Sequence, residues 1–222
     1  MIKKGYIAEA IGTFSLVFCG TGVIVINEFT GATMTHVGIA MTFGLIVMGM
    51  IVAFGEISGA HINPAVTIGF VFAKKIPWKE VPACCILQIL GAFAAGGILL
   101  FLFPENELLG STLPQIDVLR IFIMEVPLTF FLMQVIINIS TSSKEMGILA
   151  GIAIGGIVLL EALMAGPITF ASMNPVRSFS PAVVSGHLKH LWLYILATVI
   201  RALLAVTSCK LVKDYPCCDE DC

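Results

Sequence analysis

"SGAHINPAVTIG", residues 58–69, interrupts an otherwise apolar chain with His61, Asn63 and a helix-breaking Pro64. The same polar core returns as "SMNPVRSFSP", residues 172–181, where Arg177 follows the asparagine by three positions. The pairs Asn63–Pro64 and Asn174–Pro175 stand 111 residues apart. Proline is favoured at the first position of a helix, where its missing N–H costs nothing. Each pair therefore reads as a helix start, followed by Ala65 in one copy and Val176 in the other. The apolar stretches that follow, 63–73 and 174–184, are only about half a membrane thickness long.

The surroundings of these two stretches define the setting. The chain has 222 residues, of which 58% are hydrophobic and 12% charged, and its mean hydropathy is +1.02. A soluble domain of this length needs more charge to cover its surface. Residues 36–55 and 83–103 contain no Asp, Glu, Lys or Arg, and each is long enough to cross ~30 Å of hydrocarbon. The composition predicts an integral membrane protein in contact with a lipid bilayer. Hydropathy predicts six full spans, at about 5–27, 36–57, 82–103, 118–139, 147–165 and 190–212. The N-terminal run imitates a signal peptide, but Glu9 interrupts it and no small-residue cleavage site precedes a hydrophilic domain, so it reads as the first span.

Lys3, Lys4, Lys74, Lys75, Lys79, Lys144, Lys210 and Lys213 all fall on one side of a six-span arrangement. The loop on the other side, "PENELLGSTLPQID", has no lysine or arginine. The positive-inside rule predicts both termini in the cytoplasm of a multi-pass protein of the cell membrane. "EAIGTF" (9–14) and "EVPLTF" (125–130) open the first and fourth spans with the same Glu-x-x-x-Thr-Phe pattern. Three crossings per half is an odd number, so the second half must run inverted: repeats of about 1–104 and 117–213 within one domain of 1–215. The expected fold class is all-α: six transmembrane helices and two re-entrant half-helices in an inverted repeat.

Half-helices entering from opposite faces bring their N-termini together, each carrying roughly half a positive charge. Asn63 and Asn174 then present amide N–H donors there, and the preceding loops, including His61, offer backbone carbonyls. Irregular backbone at that depth is tolerated where it lines a polar cavity. Donors in a positive field favour neutral hydroxylic molecules over protons and cations. A charge within a membrane is normally functional, so Arg177, placed inside a half-helix, is expected to donate to the permeant. Glu9 and Glu125 lie within spans and are expected to accept hydrogen bonds from re-entrant loop N–H groups. Glu161 and Arg201 do not follow from the pore; pairing with each other or with a neighbour is open.

The two stretches "SGAHINPAVTIG" and "ASMNPVRS" resemble the signature loops of the aquaporin and aquaglyceroporin family, the major intrinsic proteins. The resemblance extends from "AEAIGTF" through the sixth span, with Val176 replacing the family's second alanine. It implies a selectivity filter of Phe43, Ala162, Ala171 and Arg177, and a homotetramer with one pore per subunit. A one-residue slip would place Phe170 in the filter instead of Ala171. Two filter alanines, and Ser178 after the arginine, resemble the nodulin-type branch and its bacterial relatives. That likeness implies a path for water, glycerol, urea-like solutes and neutral metalloid acids such as arsenite. A strict water channel and an ion-coupled secondary transporter are the alternatives; the latter needs a titrating carboxylate, for which Glu9 and Glu125 are the candidates.

Other classes find little support. There is no basic stripe for nucleic acid, no nucleophile–base pair and no His/Asp/Glu cluster at metal-ligand spacing, so neither enzymatic activity nor a cofactor is expected. Of seven cysteines, Cys19, Cys84, Cys85 and Cys209 lie in or near spans and read as packing. Cys217, Cys218 and Cys222 sit in the acidic tail 216–222, which reads as a reduced cytosolic end. Binding of a thiophilic metal or metalloid by those three is the alternative.

Overall fold

The structure is a computed structural model that describes residues 3–140 and 149–212. Cys217, Cys218, Cys222, Lys144 and Lys213 lie outside the described residues, as do the side chains of Arg201 and Lys210. The described chain is helical, with no strand among its residues.

Six long helices carry the mass: α1 (Lys4–Phe29), α2 (Thr35–Ser58), α4 (Val81–Leu102), α5 (Val118–Ser140), α6 (Ala150–Thr169) and α8 (Leu191–Val212). Each contains a window long and apolar enough to cross a membrane. Two short helices, α3 (Pro64–Phe72) and α7 (Pro175–Ser185), begin at the two prolines. The architecture is therefore six spans plus two half-helices. Its halves pack alike: α1 lies on α4 as α5 lies on α8, and α2 lies on α6 between them.

The α2–α6 seam shows where the repeats meet. A Cβ on Gly44 would come within 2.8 Å of the Gly155 carbonyl oxygen, and one on Gly155 within 2.6 Å of the Gly44 carbonyl oxygen. Gly44 and Gly155 are separated by the same 111 residues as the two asparagines. Small residues let helix backbones approach where lipid supplies no hydrophobic driving force.

Span ends agree with hydropathy within two residues, except at α6. That helix runs to Thr169, four residues beyond the predicted end at 165, and passes through Pro167. Proline inside a helix removes the N–H that would serve the carbonyl four residues earlier, here that of Leu163. A His36 ring nitrogen lies 2.7 Å from the Leu163 oxygen and satisfies it. The carbonyl thus keeps a partner, and the helix continues past the Gly166–Pro167 break.

Lys3 pairs with Glu80 at 2.6 Å, and the Tyr6 hydroxyl donates to the same carboxylate. The chain start, the 3-10 turn Trp78–Glu80 and the end of α2 therefore share one end of the molecule, where Gly5 abuts the Ile57 carbonyl.

Candidate functional site: two half-helix starts and a buried arginine

Each asparagine caps the half-helix it precedes. Asn63 is extended (φ −159°) and its Oδ1 accepts from Ala65 N at 2.9 Å; Asn174 is extended (φ −143°) and its Oδ1 accepts from Val176 N at 3.1 Å. Side-chain oxygens at this position satisfy N–H groups that a first helical turn leaves unpaired.

The remaining amide groups tie the two loops together. Asn63 Nδ2 donates to the Met173 carbonyl at 2.9 Å, and Asn174 Nδ2 donates to the Ile62 carbonyl at 2.8 Å. An amide NH2 has two donors, so each asparagine keeps one N–H beyond the brace. Residue for residue, the loops repeat one backbone conformation. Gly59, Ala60 and Ile62 have φ of 81°, 45° and 42°; Phe170, Ala171 and Met173 have 63°, 41° and 50°. Left-handed φ costs an L-residue roughly 1–2 kcal/mol, so five of these six positions store strain that the surroundings must hold.

Two carboxylates do the holding. Glu9 Oε1 accepts from Ser58 Oγ (2.7 Å) and His61 N (2.9 Å), and Oε2 accepts from Ile62 N (2.7 Å) and Gln88 Nε2 (2.8 Å). A carboxylate offers about four lone-pair sites, and all of them on Glu9 are used. Glu125 Oε1 accepts from Ser172 N at 3.2 Å, the counterpart of His61 N in the second loop. Both glutamates are buried.

Arg177 is 1% exposed. One of its terminal nitrogens donates to Thr112 Oγ1 at 2.8 Å, and its guanidinium carbon sits 5.2 Å from the Phe43 ring centroid. That is within cation–π range. Thr112 Oγ1 is 2.6 Å from Ser178 Oγ, itself 2.6 Å from Ser172 Oγ, so three hydroxyls join the arginine to the second loop. No acceptor for Arg177 Nε occurs among the described residues.

Arg177, Ser172, His61 and the two asparagines border a cavity of about 750 Å³. Its lining includes Glu56, Lys75 and Ser140, apolar Val66, Leu132 and Val158, and His61, Asn63, Asn174, Ala171, Phe43 and Arg177. Pro64, Ala65, Pro175 and Val176 are buried behind the helix starts and do not line it. Val176 packs with Val17, Ala92 and Ala95, small neighbours that leave room for its branched side chain. Ala162 is buried on α6 and does not line the cavity, whereas Ala171, carried on a loop, does. Phe170 caps α6 in the left-handed region and is not in the lining. Neither Glu9 nor Glu125 lines it.

Three contributors escape sequence reasoning. Thr112 lies in a loop that reads as an outer connection, yet Leu109, Ser111 and Thr112 fold inward and are buried. Gln88 is an isolated polar residue in an apolar span, and that isolation is the only signal it gives. Gly20 is the third: a Cβ there would lie 2.3 Å from Phe43 Cε1, so its bareness seats the Phe43 ring. Glu161 is 1% exposed and buried on α6.

The sequence model of the major intrinsic protein family matches residues 1–208. Among curated proteins, the chain is 41% identical over 208 residues to aquaporin NIP1-1 of Oryza sativa subsp. japonica, covering 93% of this chain and 73% of that protein. It is also 41% identical over 208 residues to nodulin-26 of Glycine max, covering 93% and 77%. Among solved structures, the aquaglyceroporin from Plasmodium falciparum superposes with a TM-score of 0.80 at 26% identity, covering 93% of this chain and 95% of that one.

Proposed function

The chain belongs to the major intrinsic protein family, and from that premise we propose a passive pore that admits glycerol, urea-like solutes and neutral metalloid acids such as arsenite as well as water. At the coarser level it is a membrane channel for water and small solutes. The observation that carries the finer reading is the pairing of Arg177 and Phe43 with the small side chain of Ala171 in the cavity lining. One wall donates hydrogen bonds and bears charge, and Ala171 leaves width that a larger side chain would fill. In this reading Phe43, Ala162, Ala171 and Arg177 form the selectivity filter. His61, Asn63 and Asn174 line the pore centre, set by the helix starts at Pro64–Ala65 and Pro175–Val176. Two half-helix N-termini and Arg177 make that centre positive, which opposes protons and cations.

The position of the carboxylates supports a channel over an ion-coupled transporter. Glu9 has every lone-pair site occupied, and neither it nor Glu125 lines the cavity, so neither is placed to exchange protons with a passing solute. Flux should therefore be insensitive to membrane potential. The proposed setting is a homotetramer in the cell membrane with both termini cytoplasmic.

Stopped-flow light scattering on proteoliposomes tests the filter. Wild type should pass water, glycerol and arsenite. Ala162→His should keep water and lower glycerol and arsenite flux by about tenfold, equivalent to ~1.4 kcal/mol on the barrier. A wild type that passes water alone would overturn the wide-filter reading.

A further inference from the structure

The end of the molecule that holds the chain start carries more basic side chains than its acids can pair. Helix α3 runs from the centre back to this end, and the turn after it leads through Trp78–Glu80 into α4. Lys3, Lys4, Lys74, Lys75 and Lys79 stand here against Glu56 and Glu80 among the described residues. Lys75 and Glu56 both line the cavity and belong to its mouth. Lys3 pairs with Glu80, and the Tyr6 hydroxyl donates to the other oxygen of that carboxylate. Lys4, Lys74 and Lys79 are exposed and make no ion pair among the described residues.

An aromatic pair projects among these charges. Phe72, the last residue of α3, is 44% exposed, and Trp78 is 59% exposed. Their rings meet edge to face with centroids 5.4 Å apart. Lys74 follows Phe72 by two positions, and Lys79 follows Trp78 by one. The spans α1 and α4 begin at Lys4 and Val81, so the pair lies where hydrocarbon gives way to headgroups. Tryptophan is favoured at that depth because its ring is apolar and its N–H is polar. The opposite end has the reverse balance, with Glu28, Glu105, Glu107 and Asp117 against Arg120 and Lys189 among the described residues.

We propose that Lys74, Lys79 and the Phe72–Trp78 pair bind the headgroup of an anionic phospholipid in preference to a zwitterionic one. A lysine ammonium donates to phosphodiester oxygens as a flexible point charge, so no fixed bidentate geometry is required. A zwitterionic headgroup brings its own cation and leaves the lysines uncompensated. A free phosphate would satisfy the lysines but has no acyl chain to cover the exposed rings. The site depends on membrane insertion and is independent of what the pore admits.

The chain has two tryptophans, Trp78 at this end and Trp192 at the other, so each can report alone. The full chain with Trp192→Phe is reconstituted in mixed phosphatidylcholine and phosphatidylglycerol, with brominated acyl chains on one lipid or the other as quencher. At equal fractions, brominated phosphatidylglycerol should quench Trp78 as a ligand held roughly fivefold more tightly. Lys74→Gln with Lys79→Gln should bring the two lipids level, and Lys74→Arg with Lys79→Arg should keep the preference. In a Trp78→Phe chain, Trp192 should quench equally with both. Equal quenching of Trp78 in the starting chain overturns the site, as does a preference that survives the glutamine pair. The same preference at Trp192 would mean a general attraction and overturns it too. Relief of quenching by inorganic phosphate, beyond a chloride control of equal ionic strength, assigns the lysines to a free anion instead. A preference that emerges only after Asp219, Glu220 and Asp221 are neutralised assigns them to the acidic tail, and the lipid site falls.

Discussion

Gly59 and Gly20 are bare for different reasons, and each yields a prediction. Gly59 ends α2 at φ 81°, and a Cβ there would approach His61 Nε2 to 3.0 Å. Gly59→Ala therefore meets both left-handed strain and a pore-lining ring. It should cost ~1–2 kcal/mol, seen as a lower thermal midpoint of the detergent-solubilised protein. Gly20 is helical, and its lack of a side chain is about space. The three atoms nearest to where its Cβ would stand all belong to the Phe43 ring, the farthest at 2.9 Å. Gly20→Ala should push that ring off the Arg177 guanidinium and change the glycerol-to-water flux ratio, with expression near normal. An unchanged ratio would show that the Phe43 ring does not set selectivity. Both substitutions remove nothing polar, so the readouts separate strain from pore shape.

Among the elements, the two re-entrant loops depend on groups outside themselves. The first loop hangs its strained backbone on Glu9, a residue 52 positions away from His61. Glu9→Gln would keep one acceptor oxygen but turn a donor toward N–H groups, losing charge-assisted bonds worth about 1.5–3 kcal/mol each. The expected result is a protein recovered poorly from membranes, with an early unfolding transition. Stability equal to wild type would mean that the loop holds its own conformation. At the other end of α2, His36 supplies the donor that Pro167 denies the Leu163 carbonyl. His36→Ala should cost about 1 kcal/mol and loosen the α6 turn that carries Ala162. His36→Gln, which retains a donor, should recover most of that loss in thermal midpoint; failure to do so would mean the contact is not a hydrogen-bond effect.

For the whole molecule, the inverted repeat places equal parts on opposite sides of one seam. Gly44 faces Gly155, and the two asparagines brace each other's loops, all at one sequence offset. Gly155→Leu should wedge α2 from α6, because the space a Cβ would take already holds the Gly44 carbonyl and Met48. Loss of folded protein at comparable synthesis levels would be the outcome, measured by size-exclusion chromatography after solubilisation. The symmetry is not complete in its polar core. The first half has Gln88, Thr67 and Ser58 around its carboxylate region, whereas the second adds a buried Glu161 and the Ser178–Ser172 hydroxyl pair, joined to Thr112 of the loop between the halves. Arg177 belongs to that second half.

Much of this is legible from residue order because the physics involved is local. Span length follows from apolar run length, a half-helix start follows from Asn-Pro, and inversion follows from an odd number of crossings. These determine the fold class without any knowledge of contacts. What residue order does not reveal is which distant groups satisfy buried polar atoms. Hydropathy ends α6 too early because the hydrogen bond lost at Pro167 is replaced by a residue 127 positions before Leu163. Thr112 is invisible because a polar residue in a loop carries no mark of folding inward. Hydropathy and motif spacing act along the chain, whereas hydrogen-bond satisfaction acts across it, and only the packed tertiary structure decides the latter.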